Sequence, residues 1–269
     1  MSQADKAFTG SIPALYEKYL VPPLFKPHAE ELVRKVAAVE PRRILELAAG
    51  TGVVTRLLAQ NLPQSRIMAT DLNEPMIALA RSLCMADGVE WRQADAMSLP
   101  FPDGSFDAVL CQFGVMFFPD KHVAFGEARR VLAPTGRVFF NVWERLETNP
   151  YAEVITSVLG EMFPDDPPLF LARLPYGYHD VDSIRRMLQE AGFDRIEAER
   201  VEKAGPSPSA SDVATGFCQG TPLRNEIEAR DASRLDEATR ATAAALAARF
   251  GEGPLTEPTA AILVTAQRA

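Results

Sequence analysis

The chain has 269 residues, and a hydrophobic fraction of 47% with 24% charged residues is typical of a globular protein with a sizeable core. The net charge of −8 disfavours binding to a nucleic-acid backbone, which requires a basic face. The cysteines, Cys84, Cys111 and Cys218, lack metal-ligand spacing, and an odd number of them fits a reducing compartment.

The N-terminal residues show no signal-peptide pattern, and the longest apolar stretch, VLCQFGVMFF at 109–118, is too short to span a bilayer. We therefore expect a cytoplasmic protein with no membrane span and no nucleic-acid partner. A homodimer remains open.

The stretch RRILELAAGTGVVTRLLAQ at 42–60 contains the first clear functional signal. An apolar run meets the acidic residue Glu46, continues into small residues as far as Gly52, and resumes with helical spacing. This order predicts a strand, a tight turn and a helix start, as in a nucleotide-binding loop.

Further along the chain, short β-rich runs alternate with helical patterns, which predicts a parallel sheet covered on both faces. The predicted strands are 43–47, 66–71, 90–93, 106–112 and 137–142. The predicted helices are 53–61, 75–86 and 122–131. Pro134 and Gly136 in APTGRVFF predict a turn before the fifth strand.

The C-terminal part continues the alternation. DVDSIRRMLQEAGF predicts a helix capped by Asp180 or Asp182 and ending at Gly192, followed by a strand at 195–201. AILVTAQRA predicts the closing strand.

The identity of the ligand depends on the small residues of the loop. A dinucleotide fingerprint requires Gly-x-Gly-x-x-Gly, and the third glycine is replaced here by Thr55. The chain also contains no Tyr-x-x-x-Lys pair for hydride chemistry. An NAD-dependent oxidoreductase is thereby disfavoured but stays open.

ELAAGTG resembles the first motif of the class I S-adenosylmethionine-dependent methyltransferases, with Ala48 in place of the family's first glycine. ATDLNEPMIALAR, WRQADAMSLPFPDGSFDAVLCQFGVMFFPD and EARRVLAPTGRVFFNVW resemble the family's following motifs, in order, over about residues 42–143. The closest types are ubiquinone/menaquinone and natural-product methyltransferases. The resemblance implies a Rossmann-like, doubly wound α/β fold with a mostly parallel seven-stranded sheet, an antiparallel last strand and helical cap insertions.

The same resemblance implies a site for S-adenosylmethionine. Glu46 would receive the methionine ammonium, Asp71 the ribose hydroxyls, and Asp95 the adenine amino group. Gly50 and Gly52 would make room for the cofactor, and Gln112, Phe113 and Gly114 would lie where the methyl group meets its acceptor. The full predicted set is Tyr16, Tyr19, Glu46, Ala48, Gly50, Gly52, Asp71, Leu72, Met76, Asp95, Ala96, Gln112 and Phe113.

Structural roles compete with these assignments. Asp71 could cap the following helix, Asp95 could be a turn residue, and Tyr16 and Tyr19 could dock their segment by hydrophobic packing. Asp107 is expected to support its neighbouring strand. His179 is a weak candidate for a general base, and His28, His122 and His179 form no metal triad.

The implied organisation has four parts. Residues 1–40 form an N-terminal lid segment and first helix, 41–144 the S-adenosylmethionine-binding core, 145–180 a cap insertion, and 181–269 the rest of the core with a helical insertion at about 205–257. The expected activity is methyl transfer to a small, apolar or aromatic metabolite. We expect no bound metal in the protein. The main alternative is a non-catalytic S-adenosylmethionine-binding sensor or partner subunit.

Overall fold

The structure, a computed structural model, describes Asp5 and residues 7–269. This part of the chain forms two compact units. The sheet unit comprises residues 28–143, 179–201 and 261–269, and the helical unit comprises 144–178, 202–260 and the described residues up to Pro27.

The sheet has seven strands in the order β3-β2-β1-β4-β5-β7-β6. Strands β1 to β5 pair in parallel, and β7 pairs antiparallel with β5. The predicted fold class is therefore confirmed. The strands are β1 Arg43–Glu46, β2 Arg66–Asp71, β3 Val89–Gln93, β4 Phe106–Gln112, β5 Leu132–Trp143, β6 Phe193–Lys203 and β7 Thr259–Arg268.

Helices connect the strands. In chain order they are α1 Ile12–Tyr19, α2 Lys26–Ala37, α3 Val53–Asn61, α4 Glu74–Leu83, α5 Lys121–Val131, α6 Pro150–Met162, α7 Phe170–Arg173, α8 Val181–Glu190, α9 Ala210–Gln219, α10 Leu223–Asp231 and α11 Leu235–Phe250. No helix in the described residues combines the length and the apolar character needed to cross a membrane.

Strands β1 and β4 are nearly continuous apolar runs because they lie in the core of the sheet unit. Ile44, Ala108 and Leu110 are fully buried, as expected for central strands of a parallel sheet covered on both faces. They pack in one buried cluster with apolar side chains of α2 and α3, including Leu32.

Two predicted boundaries were wrong by three residues or more. Strand β5 begins at Leu132 because Leu132 pairs with Phe106, and the register then shifts so that Arg137 pairs with Ala108. The predicted turn with Pro134 and Gly136 is the irregular segment inside this strand. Helix α4 ends at Leu83 instead of residue 86, because Cys84 adopts an extended conformation.

In the helical unit, an ion-pair cluster joins segments that are far apart in sequence. Both Nη atoms of Arg173 donate to Asp5, at 3.1 and 2.7 Å, and Nη2 also donates to Glu226 at 2.7 Å. Asp5 is 3% exposed, so the arginine supplies the charge that a buried carboxylate requires.

Candidate functional site

The strand order creates a topological switch point. Strand β1 lies between β2 and β4, so the connections on its two sides run in opposite directions. In open α/β sheets, ligands bind in the crevice outside the carboxyl ends of the strands at such a point. Glu46 is the last residue of β1 and Asp71 the last of β2, whereas Asp95 follows the end of β3 by two positions.

Glu46 is a buried carboxyl group at the end of β1. Its side chain is 1% exposed, and the Thr55 hydroxyl donates to Oε2 at 2.6 Å. Burial raises the pKa of Glu46 to about 8, and the charge of Asp71 adds to the rise, whereas the Thr55 hydrogen bond and the charge of Arg56 oppose it. At neutral pH the group is therefore mostly protonated, and a ligand ammonium would favour its ionised form.

Asp71 holds the glycine loop against the end of β2. Its Oδ2 accepts the Gly50 N–H at 2.9 Å, and its Oδ1 accepts the Asn73 N–H at 2.8 Å. Burial raises the pKa of Asp71, against the effect of these backbone hydrogen bonds. Asn73, and not Asp71, occupies the N-cap position of α4. Oδ1 also accepts the Asn73 side-chain amide at 3.4 Å, so Oδ2 is the oxygen better placed to accept a further hydrogen bond from a ligand.

The loop between β1 and α3 is left-handed at three positions, with φ of 52° at Ala48, 57° at Gly50 and 81° at Gly52. A Cβ at Gly50 would have no neighbour within 4 Å, so bare backbone faces open space there. This is the geometry that the predicted role of Gly50 requires.

Gly52 uses its space differently from the prediction. A Cβ at this position would lie 2.7 Å from the Trp91 ring and 3.2 Å from Ala80. The missing side chain therefore makes room for packing between α3, β3 and α4. The role of Gly52 towards a cofactor stays a prediction.

Ala48 faces the loop after β4. A Cβ at Gly114 would come within 2.6 Å of the Ala48 Cβ and equally close to the Cys111 sulfur. The alanine that replaces the family's first glycine thus requires a glycine opposite, and the two loops meet in close contact at the switch point.

Asp95 and Ala96 lie in a turn after β3. The Asp95 Oδ1 accepts the Met97 N–H at 2.9 Å, and the Ala94 N–H donates to the Asp71 carbonyl at 3.0 Å. Asp95 is therefore a turn residue in this structure, placed at the strand end next to Asp71. Its contact with an adenine amino group stays a prediction.

Leu72 and Met76, two residues of the predicted cofactor set, differ in exposure. Leu72, directly after the buried Asp71, is 43% exposed. Met76 is 3% exposed on the buried face of α4. Leu72 therefore has surface to offer a ligand, and Met76 has little.

The turn after β4 is part of an aromatic cluster. Phe113 has a positive φ of 50°, and its ring stacks on Trp143 at 3.7 Å between centroids. The His28 ring stands edge-on to both, at 5.5 and 5.3 Å. The Phe113 N–H donates to the Asn141 carbonyl at 3.0 Å, which holds the chain beyond Gln112, the last residue of β4.

Tyr16, Tyr19 and His179 are placed away from these strand-end residues in the sequence. In the helical unit, the Tyr16 ring stacks on Phe25 at 4.7 Å, and Lys18 donates to the Tyr19 hydroxyl at 2.9 Å. His179 is half-buried and directly precedes Asp180, the N-cap of α8. Their roles towards a ligand stay predictions. Over Asp5 and residues 7–269, no cluster of three or more His, Cys, Asp or Glu could hold a metal ion.

Two residues at the site are not predicted from the sequence. In the loop motif Thr55 is only the replacement of a third glycine, yet its hydroxyl donates to Glu46. Thr51 is 1% exposed, and its Oγ1 has no hydrogen-bond partner within the part of the chain that the structure describes. A buried hydroxyl without a partner marks a position where a ligand atom would satisfy it. The site therefore fits a polar ligand with a cationic group.

Comparisons with known proteins agree with this geometry. A family described as "Methyltransferase domain" matches residues 45–140. A demethylmenaquinone methyltransferase of Thermus thermophilus is 48% identical over 100 residues, covering 36% of this chain and 46% of that enzyme. The ubiquinone/menaquinone biosynthesis C-methyltransferase UbiE of Burkholderia multivorans is 34% identical over 166 residues, covering 58% of this chain and 68% of the enzyme.

A solved structure shares the fold. Phosphoethanolamine N-methyltransferase 2 of Haemonchus contortus, in complex with S-adenosylhomocysteine, superposes with a TM-score of 0.62 at 16% identity, over 95% of this chain and 56% of that one. The chain thus spans less than half of the Thermus enzyme's length and about two thirds of the Burkholderia enzyme's. On the match to the Burkholderia enzyme and the ordered motifs at the strand ends, the chain belongs to the class I S-adenosylmethionine-dependent methyltransferases.

Proposed function

We propose that this protein transfers the methyl group of S-adenosylmethionine to a small, apolar or aromatic metabolite. The observation that supports it most is the pair of buried carboxyl groups, Glu46 and Asp71, at the carboxyl ends of adjacent parallel strands. When bound, S-adenosylmethionine supplies a methyl group activated by a positively charged sulfur. The residues of the chain would hold the cofactor and align the acceptor with its methyl group.

The carboxyl groups would divide the recognition of the cofactor. Glu46 is buried and its pKa is raised, so an ammonium would relieve the cost of its ionisation. Asp71 would accept hydrogen bonds from the ribose hydroxyls. The cofactor would also contact the bare backbone at Gly50, where there is open space, and the Thr51 hydroxyl.

The nature of the acceptor rests on weaker support. Both curated relatives carry names from quinone biosynthesis, and one is called a C-methyltransferase. In this chain the stacked rings of Phe113 and Trp143 lie where β4 and β5 end. An aromatic acceptor of the quinol type is therefore the first compound to test.

The transfer is an in-line displacement, so alignment of acceptor, methyl carbon and sulfur would provide most of the acceleration. A general base is needed only when the acceptor is a hydroxyl or a carbon acid. His179 remains the candidate base for that case. For an amine acceptor, the positioning residues would suffice.

Two measurements test the proposal. In calorimetric titrations, S-adenosylhomocysteine should bind, and NAD and NADP should not; the reverse result would favour the oxidoreductase. Transfer of a labelled methyl group is then measured with demethylated quinols, phenols, amines and carboxylic acids. Binding without transfer to any acceptor would contradict the catalytic proposal and favour a sensor or partner subunit.

A further inference from the structure

The segment between β3 and β4, residues 94–105, carries Asp95 and Ala96 but contains no helix or strand. A carboxylate can recognise an adenine edge only when its position is fixed to within a fraction of an ångström. The turn at Asp95 is closed locally, since the Ser98 N–H donates to the Asp95 carbonyl at 2.9 Å. Something outside the turn must hold the rest of the segment.

Arg130, on α5, makes five hydrogen bonds that meet this need. Nη2 donates to the Leu99 carbonyl at 2.9 Å, and Nη1 donates to the Phe101 carbonyl and to Asp103 Oδ1, each at 2.8 Å. Nε and Nη2 donate to the two oxygens of Glu127 at 2.7 and 2.9 Å. The planar guanidinium therefore holds the segment by hydrogen bonds at Leu99, Phe101 and Asp103.

Glu127 completes the attachment. Its Oε2 accepts the Leu99 N–H at 2.7 Å, and the Gly104 N–H donates to the Arg130 carbonyl at 3.0 Å. The hydrogen bonds from Arg130 hold the pKa of Glu127 below its ordinary value, so the carboxylate stays charged at neutral pH. Leu99, the anchored residue closest to Asp95, is itself 5% exposed.

We propose that Arg130, oriented by Glu127, is a positioning residue for recognition of the adenine ring, because it fixes the segment that presents Asp95 and Ala96. The inference rests on the proposed function, since it assumes an adenosyl ligand. It adds a residue that touches no ligand and acts through the backbone of residues 99–104.

The fork geometry predicts that lysine cannot replace this arginine. A single ammonium could keep the charge next to Glu127 and Asp103, but it could not reach both backbone carbonyls and both Glu127 oxygens in fixed directions. Arg130→Lys therefore separates the effect of the positive charge on adenine recognition from the effect of the guanidinium's fixed hydrogen-bond directions.

The neighbouring residue offers a matched control. Arg129 lies on the same helix, and its Nε donates to the Gly192 carbonyl at 2.9 Å, away from the segment. Arg129→Met removes an arginine from the same helix without touching residues 94–105. Loss of stability shared by the two variants can thus be subtracted.

The experiment compares the affinity for S-adenosylhomocysteine with that for S-inosylhomocysteine, in which a carbonyl oxygen replaces the exocyclic amino group and so offers Asp95 an acceptor instead of a donor. Wild type should prefer the adenosyl compound by about tenfold or more, because one well-placed hydrogen bond is worth about that factor. Arg130→Met, Arg130→Lys and Glu127→Gln should reduce this preference to below about threefold, and Arg129→Met should retain it. Amide exchange at Leu99 and Gly104 should quicken in the Arg130 and Glu127 variants and stay at the wild-type rate in Arg129→Met.

Each outcome is decisive. A preference retained in Arg130→Lys and Glu127→Gln, or lost equally in Arg129→Met, would overturn the positioning role. If Arg130→Met does not fold, the other two variants settle the question at a temperature where both are folded. A wild type that binds S-adenosylhomocysteine without preferring it would also overturn the role, whereas one that binds neither compound would contradict the proposed function itself.

Discussion

Asp71 and Asp107 are the same residue type on the same sheet, at opposite edges. At the amino edge of β4, Asp107 accepts the backbone N–H groups of Arg42 and Arg43 at 3.1 and 2.9 Å, and the Arg43 guanidinium at 2.6 Å. At the carboxyl edge of β2, Asp71 accepts the Gly50 N–H, the Asn73 N–H and the Asn73 side-chain amide, which are all uncharged donors.

The electrostatic consequences are opposite. At Asp107, partial burial works to raise the pKa, but the bonds from Arg43 and the Arg42 N–H outweigh it, so the pKa is lowered. At Asp71 and Glu46, burial dominates and the pKa is raised. A carboxylate that supports a fold is supplied with its own cation. One that awaits a ligand is buried without a full counter-charge and reduces stability until the ligand arrives.

Glu46→Gln should show the largest effect, which is a change in how the free energy of unfolding depends on pH. The folded pKa of about 8 lies above the unfolded value of 4.5, so the contribution of the protonated group is fully present below pH 4.5 and is lost as the pH rises through 8. Relative to wild type, the free energy of unfolding of the variant should rise by up to about 5 kcal/mol between pH 4 and pH 9. Urea unfolding across this range measures the difference.

The same variant should bind S-adenosylhomocysteine more weakly, because the neutral amide offers an ammonium no charge. Asp107→Asn is the control with the opposite sign. Its lowered pKa means that its stabilising contribution is present at neutral pH and fades in acid, so the variant should be less stable than wild type only above about pH 4. Parallel pH profiles for the two variants would refute the contrast between the edges.

Asp71→Asn should have the next largest effect, on binding. The substitution removes the charge and one acceptor, and it turns an amide N–H towards a donor at Gly50 or Asn73. We expect a loss of affinity for S-adenosylhomocysteine of about 100-fold, the cost of about two charged hydrogen bonds. Calorimetric titration of Asp107→Asn should give an affinity within about twofold of wild type.

Equal losses for the two aspartates would mean that the affinity reports stability alone. An unchanged affinity for Asp71→Asn would remove the main support for the cofactor site. Both variants therefore need unfolding curves at the same pH, so that binding is compared between folded proteins.

The sequence predicted most of the features that depend on local order. Apolar runs ending in Glu46 and Asp71 identified two parallel strands and the residues at their carboxyl ends, because strand length and burial are visible in the run itself. Asp180 as a helix cap and Asp107 as a supporting residue follow from the same kind of local chemistry. Both are found in the structure, with Asp180 accepting the Asp182 N–H at 3.2 Å.

Features that depend on packing between distant segments were missed. Gly52 makes room for Trp91, which lies 39 positions away, and no pattern within the loop reveals which neighbour fills that space. Likewise, EARRVL shows a helix with two arginines, and only the structure shows that Arg130 faces the segment after β3 and Arg129 faces Gly192. The early pairing of Leu132 with Phe106 also depends on a partner in another strand.

Backbone strain gives the smallest test of the contrast between the two edges. Ala48, at the carboxyl edge, and Glu40, before β1 at the amino edge, are both left-handed non-glycine residues, with φ of 52° and 47°. Substitution by glycine relieves about 1–2 kcal/mol of strain and costs about 0.4–1 kcal/mol in unfolded-state entropy, so each variant should gain about 0.5 kcal/mol of stability. Only Ala48→Gly should also weaken binding, by about threefold, since it loosens the contact with Gly114 beside the site. Thermal unfolding and titration of the two variants decide the matter: an equal change in affinity for Glu40→Gly would show that the strain at Ala48 has no special relation to the ligand.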